Sequence, residues 1–85
     1  MDIIVRKPTE AEVVDMQKKP TWECGVSEFQ WHYDSQETCL IVSGEVTVTH
    51  DGGSVLISAG DFVVFPKGLS CVWKVTKALK KHYDI

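Results

Sequence analysis

The sequence predicts an all-β fold, a small barrel or sandwich built from short strands with a single short helix at its start. Three observations predict it. Apolar and polar residues alternate over runs of four to seven residues from Phe29 onward. Gly- and Pro-marked turns separate these runs at near-even intervals. Eighty-five residues fit one domain, residues 1–85, and leave no room for a second.

Taken in order, Ile3-Ile4-Val5 can form an edge strand before Pro8. Thr9-Glu10-Ala11-Glu12 has the form of a capping box, in which the Thr9 hydroxyl accepts from a backbone amide and Glu12 reaches back to the cap. The spacing predicts a two-turn helix with Ala11, Val14 and Met16 as its buried stripe, closed by Pro20. Residues 1–21 thus form an N-terminal strand and helix, and residues 22–83 the barrel. Within the barrel, Phe29 to Tyr33 reads as a strand and Thr38 to Ser43 as a second, ended by Gly44. Val46 and Val48 alternate with threonines up to the hairpin turn Asp51-Gly52-Gly53, and Val55 and Ile57 return. A strand from Phe62 to Phe65 lies between the turns Ala59-Gly60-Asp61 and Pro66-Lys67-Gly68. Cys71, Trp73 and Val75 mark the last clear strand, with Tyr83 anchoring the tail.

Composition narrows the class. The chain is 44% hydrophobic with eight aromatics, a rich core for a domain that buries only roughly 60–65% of its unfolded surface. Pairing with a second copy would bury more, and a homodimer is expected on that ground. A net charge of −3 and the lack of any basic stripe argue against nucleic acid as a partner. Lys74, Lys77, Lys80 and Lys81 read as a solvated edge that discourages stray strand pairing. Three cysteines in no CxxC pair do not describe a disulfide scaffold. Met1-Asp2-Ile3 does not open a signal peptide, and the apolar stretch Thr38 to Val42 is too short to span a membrane, so a cytoplasmic protein without a membrane partner is expected.

Two spacings carry more. The first runs Gly25, five residues, Trp31-His32-Tyr33, three residues, Glu37, six residues, Gly44. The second runs Gly60, five residues, Pro66-Lys67-Gly68, two residues, Cys71. This pair resembles the paired motifs of the cupin superfamily. The stretches Trp31 to Thr38 (WHYDSQET), Ala59 to Leu69 (AGDFVVFPKGL) and Lys81-His82-Tyr83 are most similar to the small single-domain cupins related to the ureidoglycine aminohydrolase and ethanolamine-utilisation cupin domains. The resemblance implies a cupin double-stranded β-helix, a jelly-roll barrel, and adds little chemistry, because many short members of that group have no settled activity.

Metal-binding cupins usually offer three histidines and one glutamate from these motifs. Here the histidine positions hold Trp31, Tyr33 and Cys71, and only Glu37 is kept. An indole has no lone pair suited to a metal, a phenol must first lose its proton, and a thiolate is a soft ligand beside a hard carboxylate. His32 points away from Trp31 and Tyr33 by strand parity, and His50 adjoins an exposed turn. No metal and no other cofactor is expected.

The same positions face inward by parity. Trp31, Tyr33, Glu37, Cys39, Cys71 and Trp73, with Phe65 beside them, are the candidate ligand-binding residues of an aromatic-lined interior. Glu37 and Tyr33 are the candidate catalytic pair. A carboxylate buried without a partner would serve as acid or base, whereas one bonded to Tyr33 and an indole N–H would be structural. A thiol nucleophile at Cys71 is disfavoured, since a neighbouring carboxylate opposes the thiolate. Three functions follow. One is a metal-independent small-molecule-binding module, in which Glu37 orients a polar or cationic group against the aromatics. Another is a small lyase, isomerase or hydrolase acting through Glu37 and Tyr33 on a sugar-derived or ureide-like metabolite. The third is a dimeric interaction protein with a filled barrel, associating through Leu40 and Val42.

Overall fold

A computed structural model describes residues 1–85 as seven strands and one helix: β1 (Ile4–Arg6), α1 (Glu10–Met16), β2 (Thr21–Cys24), β3 (Ser27–His32), β4 (Glu37–His50), β5 (Gly53–Ser58), β6 (Phe62–Phe65) and β7 (Ser70–Asp84). All pairings are antiparallel, in the order β1-β6-β4-β7-β2, with β3 also on β7 and β5 also on β4. The two long strands, β4 and β7, pair with each other from Thr38↔Asp84 to Thr49↔Val72 and form the spine. The architecture is the all-β jelly roll with one short helix that the sequence implies.

Gly44 does not end a strand. β4 runs through it, bending at register shifts between Ile41 and Val46. Gly44 has φ +94°, and a Cβ there would lie 2.6 Å from Leu79 Cα and closer still to the Ala78 carbonyl. The glycine lets β7 cross the bend closely, which a chain break would prevent. β7 likewise continues far beyond Val75, to Asp84.

Both halves of the expected capping box form: Glu12 N–H donates to Thr9 Oγ1 at 3.2 Å, and Thr9 N–H donates to Glu12 Oε1 at 2.9 Å. The stripe of α1 that packs inward is Val13 and Met16, whereas Ala11 is exposed and Val14 is 55% exposed. Val13 lies three residues before Met16 and shares its face; Val14, two before, points the other way. Met16 packs on Leu40 and Phe62, so the outer face at Leu40 is covered by the helix, while Val42 is exposed.

The main core fills most of the interior, from Val46, Val48 and Ile57 across to Val63, Val75 and Leu79. Toward the Trp31 end its wall becomes aromatic. There, Tyr33 stacks on Phe65 with centroids 4.7 Å apart, and Phe65 packs on Trp73 at 5.8 Å.

Candidate functional site

The aromatic end holds a half-open cavity of about 240 Å³. β3 contributes Phe29 and Trp31, and the turn after it contributes Tyr33. β2 brings Trp22, and β7 brings Trp73, Lys81 and Tyr83, with Ile85 at the rim. Glu37, the first residue of β4, completes the wall. Trp73 is buried and lies between two rings, stacked with Phe29 at 6.0 Å and edge-on to Trp22 at 6.0 Å. Trp31 is half exposed and stands edge-on to Tyr33 at the mouth.

The polar centre is an ion pair that includes a lysine expected at the surface. Lys81 Nζ donates to Glu37 Oε2 at 2.7 Å, with both side chains largely buried. Lys74 and Lys77 are exposed as expected, but Lys81 is 6% exposed. The reason is parity: Lys81 lies an even number of residues from Trp73 and Leu79, and so shares their inward face. Its ammonium sits 5.0 Å from the Trp22 ring centroid and 4.8 Å from that of Trp73, within cation–π range of both.

Glu37 is therefore neither unpartnered nor bonded to Tyr33 and an indole. The Cys39 thiol donates to the same oxygen, Oε2, at 3.0 Å. Burial pushes the Cys39 thiol well above its ordinary range, against a smaller downward pull from Lys81, so it stays protonated as a donor. Both protein bonds to Glu37 thus fall on Oε2, and Oε1 has no protein partner.

Beneath the cavity, the Tyr33 hydroxyl and the Trp73 indole N–H are buried without hydrogen-bond partners. Burial, reinforced by the charge of Glu37, drives the Tyr33 hydroxyl far above its usual range. It can donate a hydrogen bond but cannot serve as a base near neutral pH.

Of the residues selected from sequence, Trp31, Tyr33, Glu37 and Trp73 come together on the cavity wall. Cys39 lies behind Glu37, and Phe65 lies beneath Tyr33. Cys71 pairs with Trp31 between β3 and β7 and packs in the same core, but it does not line the cavity. It faces a neighbouring groove with Trp31, His32, His50 and Ser70, and burial raises its thiol pKa. His32 points outward as parity requires, with Nδ1 2.8 Å from Ser70 Oγ. Sequence reasoning missed Trp22, Phe29, Lys81 and Tyr83; for Lys81 the signal was its parity with Trp73.

The site does not fit a cupin metal centre. Trp31 has no ligating lone pair, the Tyr33 hydroxyl is buried with its ring stacked on Phe65, Cys71 lines a neighbouring groove, and Glu37 is already paired with an ammonium. No three His, Cys, Asp or Glu side chains converge.

The jelly-roll topology and the cavity at its aromatic end define a small cupin domain. Residues 12–83 match the EutQ-like cupin domain, and the chain belongs to that family. It is 33% identical over 55 residues to acetate kinase EutQ of Escherichia coli strain K12, a match covering 65% of this chain and 24% of that protein. A crystal structure of a DUF861-family protein from Thermotoga maritima is 45% identical, with a TM-score of 0.93 and 99% of each chain covered. The structure of a putative ethanolamine utilization protein Q from Salmonella typhimurium is 25% identical, with a TM-score of 0.68, covering 74% of this chain and 51% of that one. The chain thus spans about a quarter of the E. coli relative and about half of the Salmonella protein. No helix is long and apolar enough to cross a membrane.

Proposed function

We propose that this cupin domain binds a small molecule without a metal, seating it in the aromatic cavity against Glu37. One observation carries the reading: a carboxylate oxygen, Glu37 Oε1, without a protein partner in a cavity wall that is otherwise mostly aromatic. A wall of apolar rings with one placed polar group is the usual form of a small-ligand site. The volume supports a ligand of modest size. A cavity of roughly 150 Å³ accepts benzene, so about 240 Å³ suits a substituted ring or a molecule of similar bulk.

Catalysis by Glu37 with Tyr33 has less support, because Tyr33 is held protonated and its hydroxyl is buried. The activity in the name of the E. coli relative is not carried over either. Lys81 is already neutralised by Glu37, and phosphoryl transfer needs several charge-stabilising groups around the phosphates.

The chain carries its own reporter. All three tryptophans, Trp22, Trp31 and Trp73, line the cavity, so intrinsic fluorescence responds to occupancy. Screening a library of small aromatic and heterocyclic compounds should yield ligands that shift the emission saturably, with affinity weakened by Trp31→Ala and by Glu37→Gln. If no compound shifts it, or if every ligand found binds equally to both variants, the proposal fails.

A further inference from the structure

The polar centre of the cavity has the parts of a cation-recognition site. Two tryptophan rings, Trp22 and Trp73, face one point from 5.0 and 4.8 Å, and a carboxylate oxygen lies 2.7 Å from that point. Aromatic faces with an anion are the chemistry that selects ammonium groups. The group at that point is the protein's own Lys81 Nζ.

We infer that Lys81 occupies the cation seat of the cavity and is a specificity-determining residue, restricting the site to uncharged ligands that offer a hydrogen-bond donor to Glu37 Oε1. The inference rests on the reading of the cavity as a small-molecule site. Of the expectation from sequence that Glu37 orients a polar or cationic group, it keeps the polar half and drops the cationic one.

Three features make the seat unavailable to a ligand cation. Lys81 stands on the inward face of β7, opposite Ile41 of β4 and Trp22 of β2, so its stem is directed into the cavity. Its side chain is 8% exposed and its ammonium is bonded to Glu37. Lys81 and Glu37 neutralise each other, so a second cation would find both tryptophan faces already engaged by an ammonium and no net negative charge to draw it in. A ligand carboxylate is opposed in turn by Glu37, whose Oε1 faces no protein donor. A neutral O–H or N–H donor meets neither penalty.

The test uses two probes of one shape, 3-tert-butylphenol and (3-hydroxyphenyl)trimethylammonium. Each carries the same phenolic donor, and they differ in charge. Affinities are measured by tryptophan fluorescence and calorimetry on the full chain. The wild type should prefer the neutral probe at least tenfold. Lys81→Met, which keeps the side-chain volume but empties the seat of charge, should reverse the preference by a similar factor. Because Lys81→Met strands a buried carboxylate and could fold poorly, the double variant Glu37→Gln/Lys81→Met provides a third arm. Without either charge it should favour the neutral probe again. Equal or tighter binding of the cation by the wild type overturns the inference, as does a folded Lys81→Met variant that gains no affinity for it. In those cases binding itself persists and the small-molecule reading stands. If neither probe binds the wild type or any folded variant, both the reading and the inference fall.

Discussion

Glu37 places both of its protein bonds on one oxygen, and that asymmetry separates what holds the site together from what the site can offer. The Oε2 side is structural. Removing Lys81 by substitution to Ala would leave a mostly buried carboxylate supported only by the Cys39 thiol. Breaking a buried pair from one side costs roughly 3–5 kcal/mol, a large share of a small domain's stability. Urea denaturation of Lys81→Ala should show that loss, whereas Glu37→Gln/Lys81→Met should lose much less. The opposite sign is expected at Tyr33. Its buried hydroxyl has no partner and pays a desolvation cost, so Tyr33→Phe should leave stability unchanged or raise it by about 1 kcal/mol. A loss above that size would show that the hydroxyl has a partner in solution. These residues differ in how legible they were. Strand parity and motif spacing suffice to turn Tyr33, Cys39 and Trp73 inward. Lys81 was hidden because four lysines within eight residues look like a solvated edge, although its even spacing from Trp73 places it on the inward face. Trp22 and Tyr83 reach the cavity through the pairing of β2 with β7, which no local pattern encodes.

At the scale of the elements, α1 and the bend in β4 make separate claims on the sequence. The helix start was readable because its signal is local: a cap and its reciprocal glutamate lie three residues apart. Thr9→Ala should cost about 1 kcal/mol in thermal or urea unfolding. Glu12 also links this corner to pH. Hydrogen bonds from Arg6, at 2.8 and 2.6 Å, and then from the Thr9 amide hold its carboxyl down at about 2. A depressed carboxyl contributes stability that is complete above its unfolded value near 4.5 and is lost as pH falls toward 2. Arg6→Gln should therefore narrow the difference in stability between pH 5 and pH 2.5, and added salt should do the same in the wild type because the pair is solvent-facing. The strand bend was not readable, because a glycine between two β runs looks the same whether the chain stops or turns a corner. Two glycines distinguish the effects. Gly53 has φ +121° with open space around it, so Gly53→Ala should cost only backbone strain, about 1–2 kcal/mol. Gly44→Ala adds a collision with the β7 backbone and should cost more than about 3 kcal/mol or prevent folding. Equal effects in the two variants would mean that the approach of β7 to β4 is not close in solution.

For the whole molecule, the central question is whether the cavity end can loosen while the rest of the barrel holds. The pairing pattern says that it cannot. β2 and β3 are held by β7, β5 and β6 by β4, and β1 reaches the sheet only through β6. Each long strand serves both the aromatic end and the aliphatic core, since β7 carries Trp73 and Lys81 as well as Val75 and Leu79. Their mutual pairing joins residues as distant as Thr38 and Asp84, so neither strand is stable until the other is placed. Such a topology unfolds in one step and refolds slowly, in milliseconds to seconds, because distant segments must meet before any are rewarded. The position of the tryptophans makes this testable. Fluorescence reports the cavity end alone, while far-ultraviolet circular dichroism reports every strand. The two urea transitions should share one midpoint, and the amides of Val46 and Val48 should exchange hydrogen only with global unfolding. The amides of the three-residue edge strand β1 should exchange faster, because it has a neighbour on one side only. A fluorescence midpoint well below that of circular dichroism would mean that the aromatic end opens as an independent unit. In that case a ligand could enter by local unfolding, and the Lys81–Glu37 pair would guard the site only while that end is closed.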